Sequence, residues 1–281
     1  MIAKQEDKFI KGALFLSYTS LKDFEKCPRS FYLKDIYRDP KTGFRMQIPA
    51  SYMTLGALVH DAIKWFLQKD RLPGKDEMID QYRNHWRKYR GKRGGFTSLE
   101  DEAALGKRGL EMLDNFYRNF TQLEPNMPAY GFLRYILDEK IILNGKVDFL
   151  GLLPDDSLRV VDFKTGKNDE KDPIQLHIYA ILAESNFQKS VSKIGYWYLD
   201  REDSPKNAVL DPLEGELAQL EKKAREIEQA VGEGNWVCVK GDTLCDDCRN
   251  YQAIIDGKGE YLFSDEEFRK DIFYLDKSKI T

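Results

Sequence analysis

Residues 145–179 read GKVDFLGLLPDDSLRVVDFKTGKNDEKDPIQLHIY, and in them two carboxylates, a lysine and a Gln/Tyr pair fall at spacings that let them converge. Asp162 and Lys164 lie in a run rich in β-formers, 158–164, so they project to one face while Val161 and Phe163 project to the other. Upstream, 146–153 is apolar around a single acid, Asp148, and Pro154, Asp155, Asp156 and Ser157 supply a turn. Folding the hairpin about Asp155 sets Asp148 nearly opposite Asp162; a slip of one residue would send it to the other side. Two carboxylates so placed repel unless a cation lies between them. A hard divalent ion with oxygen ligands, Mg2+ or Mn2+, is the expected occupant. Such an ion binds a phosphate oxygen and activates a water, while Lys164 positions the water or stabilises the developing charge, which is the chemistry of phosphodiester hydrolysis. A bare D-x-K is more often a surface acid–lysine pair; the partner Asp148 and the helix that follows lift this one above that reading.

That helix starts near Asp172 and Pro173, and Gln175 and Tyr179, four apart, share one of its faces. Before the hairpin, 130–143 is β-rich and is expected at the side of the same sheet, with Glu139 near the site or in a salt bridge. After the helix, 194–199 reads as a strand and 213–231 as a helix. Residues 54–69 form an amphipathic helix that buries Leu55, Leu58, Val59, Ala62 and Phe66 and carries His60, with Gly56 one turn before it. A lone histidine there is more often structural than a ligand. Helices are also expected over 75–90 and 98–120, separated by GKRGG, whereas 41–49 reads as a loop. The most basic run, 83–93, is interleaved with Trp86 and Tyr89; it reads equally as a grip on nucleic acid and as a solvated helix end. Residues 16–37 read as a helix interrupted at Pro28, with a capping-box-like start at Ser20 and Asp23.

The chain has 281 residues, 42% of them hydrophobic, enough to bury a sizeable core. A formal net charge of -3 gives no general attraction to a polyanion, so nucleic-acid binding must rest on local basic surface and on metal. No apolar run suggests a membrane span, and the opening MIAKQEDKFIKG lacks the apolar core of a signal peptide, so a cytoplasmic protein with no membrane partner is expected. Four cysteines, Cys27, Cys238, Cys245 and Cys248, then argue for metal rather than disulfides, and four thiolates suit either zinc or an iron-sulfur cluster. After Cys248 acids alternate with aromatics (Tyr261, Phe263, Phe268, Phe273, Tyr274), as in a packed extension or a partner-binding tail.

Taken together, G-x-x-D, a strand ending D-F-K-T-G and then Q-x-x-x-Y resemble the PD-(D/E)XK nuclease superfamily in its RecB-like branch, which includes the iron-sulfur exonucleases of the AddB type and the CRISPR-associated nucleases. The resemblance implies that Asp148 and Asp162 bind metal, that Lys164 is the catalytic lysine, and that Gln175 and Tyr179 orient the lysine or the DNA. G-x-x-x-H at Gly56 and His60 resembles the first motif of the same family and implies His60 as a further metal ligand. S-x-T-S-L followed by C-P-R-S-F-Y-L resembles its amino terminus and implies Cys27 as the first ligand of a [4Fe-4S] cluster, with zinc as the alternative. The chain departs from the family pattern in lacking a cysteine near 251–254; either Cys238 replaces that ligand or the cluster has been lost and the thiols are remnants, and a four-cysteine site is the expected reading. The expected fold is α/β: a small mixed sheet with a restriction-endonuclease-like core, flanked by helices. It makes one domain over 1–281, with a helical insertion over 51–128 and a cysteine-bearing lobe from 1–40 and 232–281. The expected function is a divalent-metal-dependent DNA nuclease, an exonuclease on single-stranded ends, with a helicase or an integrase as a possible partner. Two alternatives stand beside it: a nuclease-like DNA-end-binding subunit of a repair, phage or CRISPR-adaptation complex, and a zinc-stapled structural protein.

Overall fold

The computed structural model describes residues 12–127 and 131–276; most of the amino-terminal stretch read for a signal peptide, and Tyr130, lie outside them. In chain order the elements are β1 (Leu14–Leu16), α1 (Tyr18–Lys26), α2 (Pro28–Phe31) running into a π-helical turn (Tyr32–Ile36), β2 (Arg45–Gln47), α3 (Ser51–Leu67), α4 (Lys75–Trp86) and α5 (Leu99–Asn119). They continue as β3 (Leu133–Ile136), β4 (Ile141–Gly145), β5 (Phe149–Leu152), β6 (Leu158–Lys164), α6 (Ile174–Phe187), β7 (Val191–Tyr198) and β8 (Lys206–Ala208). The last are α7 (Leu213–Glu233), α8 (Asp246–Ile255), β9 (Glu260–Asp265) and β10 (Lys270–Tyr274). The fold is mixed α/β. No helix among the described residues is long and apolar enough to cross a membrane.

The chain divides into two compact units, the first comprising described residues from 12–18, 55–87 and 104–225. Its larger sheet runs β5-β6-β7-β8, with β6 antiparallel to β5 and parallel to β7. The expected register holds: Phe149 pairs with Val161 and Leu152 with Leu158, which places Asp148 one step beyond the last pair, across from Asp162. The β6-α6-β7 crossover buries every residue of α6 from Gln175 to Ser185, because the helix packs on both β3/β4 and β6/β7. This explains an α6 sequence whose apolar residues are spread round the helix rather than along one stripe. Gly145 allows that fit, since a Cβ there would stand 2.8 Å from Leu182 and 3.0 Å from Tyr179. On the other face of β6, Phe163 joins Phe66, Phe116 and Trp197 in an aromatic core with ring centroids 5.6–5.9 Å apart.

The β-rich segment before the hairpin differs from expectation. It folds into its own hairpin, β3–β4, in a separate three-stranded sheet whose third member is β1, parallel to β4 with Leu14 against Ile141. The partner strand comes from more than a hundred residues upstream, which no local pattern announces. Within this unit Trp86 of the basic run packs on Tyr82, with ring centroids 5.4 Å apart.

The second unit comprises described residues from 19–54, 88–103 and 226–276. Its sheet is β2-β10-β9, in which the segment after Cys248 folds as a hairpin and β10 pairs in parallel with β2. The stretch read as a loop over 41–49 thus contains a strand of three residues, too short to show a period of two. Ser20 is buried inside α1 rather than at its cap. Two cations of the basic run are engaged here: Lys92 pairs with Glu260 at 2.7 Å and lies over the Tyr274 ring, and Arg93 lies over Phe263.

Candidate active site

The site is assembled at the carboxyl end of β6, the start of β5, one face of α3 and the first turns of α6, all within the first unit. Asp148 Oδ1 lies 2.8 Å from His60 Nδ1, and its Oδ2 accepts the Phe163 amide at 3.0 Å. Gly56, one turn before His60, lets α3 sit close to the strand end: a Cβ there would stand 3.0 Å from Thr165 Oγ1. Asp162 is 3% exposed, and its two oxygens are taken by Gln175 Nε2 at 3.1 Å and Lys164 Nζ at 3.0 Å. Gln175 couples three groups, since its Oε1 accepts from Lys164 Nζ at 2.7 Å and its Nε2 also faces Tyr179 Oη at 3.0 Å. Asp172 Oδ1 accepts the Ile174 amide at 2.9 Å where α6 begins.

The electrostatics follow from burying two carboxylates together. Burial, and then the charge of Asp148, push Asp162 up to about 7, against the pull of Lys164 and His60. Asp148 goes the other way: burial opposes its charge, yet the His60 ring and the Phe163 amide hold it below its ordinary value. His60 is raised by Asp148 against burial. Lys164 is raised by Asp162 and Glu170 against burial, so it stays protonated. A divalent cation between the two carboxylates would remove the repulsion that raises Asp162.

Four of the six predicted active-site residues, Asp162, Lys164, Gln175 and Tyr179, are linked by these contacts, and the Asp148–His60 pair is tied to the same strand through the Phe163 amide. Glu139 instead lies in the exposed turn between β3 and β4. Two residues escaped the sequence reading. Glu170 Oε1 lies 3.3 Å from Lys164 Nζ, and its own amide donates to Tyr198 Oη at 2.8 Å. The Tyr196 ring lies 4.8 Å from Lys164 Nζ. Tyr196 was legible in principle, as the residue of β7 in register with Asp162; Glu170 sits in a polar loop with no period to mark it.

The family model of the PD-(D/E)XK nuclease superfamily matches residues 15–253. The chain belongs to that superfamily. Among solved structures, that of a candidate exonuclease from Eubacterium rectale is similar with a TM-score of 0.52 and 15% identity, covering 84% of this chain and 87% of the other. At that identity the likeness bears on the fold. No curated protein matches. Within the matched range, Asp162 and Lys164 stand on β6 and Asp148 just before β5 begins.

The four cysteines come together in the second unit, with all four sulfurs within 4.8 Å of one another. Cys27 and Cys248 sulfurs are 3.6 Å apart, and the Cys245 amide donates to Cys238 Sγ at 3.1 Å. Although burial opposes it, the amides of Lys240 and Cys245 bring the Cys238 thiol down to about 7. Asp247, inside the C-x-x-C, ties this end of the chain to the Cys27 segment through Lys26 and Lys34, each at 2.9 Å. Lys34 also pairs with Asp23 at 2.9 Å. The donor set fits a thiophilic metal.

Proposed function

We propose that the chain is a divalent-metal-dependent DNA nuclease of the RecB-like branch, an exonuclease acting on single-stranded ends. The observation that carries the metal-dependent reading is the buried apposition of Asp148 and Asp162 beside a protonated Lys164 that Gln175 holds in place. The donor set of two carboxylates and an imidazole suits Mg2+ or Mn2+, with His60, Asp148 and Asp162 as the residues that would hold the ion. When bound, the ion supplies a polarised phosphate oxygen and an acidified water. Lys164 places a fixed positive charge where negative charge develops in the transition state, and its two carboxylate neighbours keep it protonated. Gln175 fixes the orientation of both Lys164 and Asp162. The preference for single-stranded ends rests on the RecB-like resemblance.

For the cysteine site, that resemblance supports a [4Fe-4S] cluster. A second reading, zinc, is favoured by the close approach of the sulfurs: at a Zn–S distance of about 2.3 Å, tetrahedral ligands stand roughly 3.8 Å apart. Brown protein absorbing in the visible supports the cluster; colourless protein with one equivalent of zinc supports the ion.

The test of the nuclease is cleavage of end-labelled single-stranded and duplex DNA with Mg2+ or Mn2+, comparing wild type with Asp162→Ala and Lys164→Ala. Cutting that needs metal and is lost in both variants is expected. Wild-type protein that binds DNA but cuts with neither metal would overturn the reading in favour of an end-binding subunit.

A further inference from the structure

Thr165, the residue after Lys164, is held from two sides within the first unit. Its hydroxyl lies beneath Gly56 of α3, at the position where a Cβ would come within 3.0 Å. Its carbonyl accepts from Arg108 Nη2 of α5 at 2.7 Å, and the same nitrogen donates to Asp200 Oδ2 at 2.7 Å. Asp200 in turn takes Arg201 Nη1 at 2.6 Å, and that nitrogen donates to the Gly166 carbonyl at 3.1 Å. Two consecutive carbonyls beyond the end of β6 are therefore capped by two guanidinium groups that share one carboxylate. On the strand itself the ladder ends with the Leu199 amide donating to the Lys164 carbonyl at 3.0 Å. Past that bond no sheet pairing fixes the chain, and the arginines do so instead. Arg108 and Asp200 side chains are 20% and 21% exposed, a setting in which a charge-assisted bond is screened less than at the open surface.

We propose that Arg108 is a positioning residue for the reaction, acting through Thr165 to hold Lys164 on β6 in fixed register with His60 on α3. This rests on the nuclease reading of the same site. His60 and Lys164 stand on different elements, and Thr165, one residue past Lys164, lies against Gly56 on one side and is held by Arg108 on the other. A guanidinium, with a rigid fork of donors, can serve a carbonyl and a carboxylate together, which an ammonium on a flexible stem does less well. Misplacing a catalytic group by about 1 Å costs on the order of a hundredfold in rate without weakening substrate binding to match.

The experiment compares wild type, Arg108→Ala and Arg108→Lys in Mn2+-dependent cleavage, together with Mn2+ affinity by calorimetry, melting temperature, and hydrogen exchange of the peptide spanning Asp162 to Gly166. Arg108→Ala is expected to lower kcat by about tenfold to about a hundredfold with KM within about twofold, to leave Mn2+ affinity unchanged, and to speed exchange in that peptide. Arg108→Lys is expected to recover part of kcat and part of the protection. Wild-type kcat in Arg108→Ala, or exchange that does not change, overturns the proposal. So does a loss of kcat that tracks a fall in melting temperature and Mn2+ affinity alike, since that is general destabilisation. Should wild type cut no DNA, the nuclease reading fails, and the exchange measurement alone decides whether Arg108 holds the strand end.

Discussion

Lys164 is bonded to Asp162 and Gln175 and lies beside Glu170 and the Tyr196 ring, a set drawn from β6, α6, β7 and the loop between β6 and α6. The strand partners were legible because a period of two decides which side chains share a face, and Gln175 because a period of 3.6 does the same on α6. Glu170 was not, because a loop carries no period. At the same scale, Asp35 in the second unit makes a prediction about pH. Burial, and then the charge of Asp23, raise its carboxyl to about 6, although Arg45 lies 3.7 Å away. The folded protein thus holds this proton more tightly than the unfolded chain, so unfolding releases it between pH 4 and pH 6. Stability from this group falls as pH rises through that window and stays low above it, by roughly 3 kcal/mol at most. Asp35→Asn removes the dependence. Urea denaturation is expected to find the variant more stable than wild type at pH 7 by about 1–3 kcal/mol, with the gap closing towards pH 4. An equal difference at both pH values would contradict the assignment.

At the scale of elements, α6 explains most of the site's rigidity. It is buried on every side because it packs on two sheets, and it presents Gln175 and Tyr179 towards Asp162 from that buried frame. The two residues are not equal, though. Gln175 touches Asp162, Lys164 and Tyr179, whereas the Tyr179 hydroxyl meets Gln175. Gln175→Ala is expected to slow single-turnover cleavage by about tenfold or more, and Tyr179→Phe by less than about threefold. Tyr179→Phe should also cost only about 0.5–1.5 kcal/mol in thermal unfolding. Equal effects of the two would show that the tyrosine acts on the reaction directly. The long helices and the β5–β6 hairpin were legible in the sequence because each is a local pattern. The sheet of β1, β3 and β4 and the sheet of β2, β9 and β10 were not, because each needs a three-residue strand supplied from far away in the chain.

For the whole molecule, the four cysteines matter through loop closure. Cys27 lies 221 residues from Cys248, whereas Cys238 and Cys245 lie seven apart. Fixing the ends of the long loop removes roughly 5 kcal/mol of chain entropy from the unfolded state, against roughly 2 kcal/mol for the short one. Cys27→Ser is therefore expected to lower the melting temperature of metal-loaded protein more than Cys238→Ser, and chelation should shrink that difference. Melting curves of both variants, with metal content measured alongside, check this. The same wiring sets an order of events during synthesis. β2 waits for β10 and Cys27 waits for α8, so a chain leaving the ribosome keeps its first thiol apart from Cys248 until 221 further residues have been made. The four-thiol cluster is complete only once Cys248 has emerged, so a chain stalled or clipped before it lacks at least one of the four sulfurs.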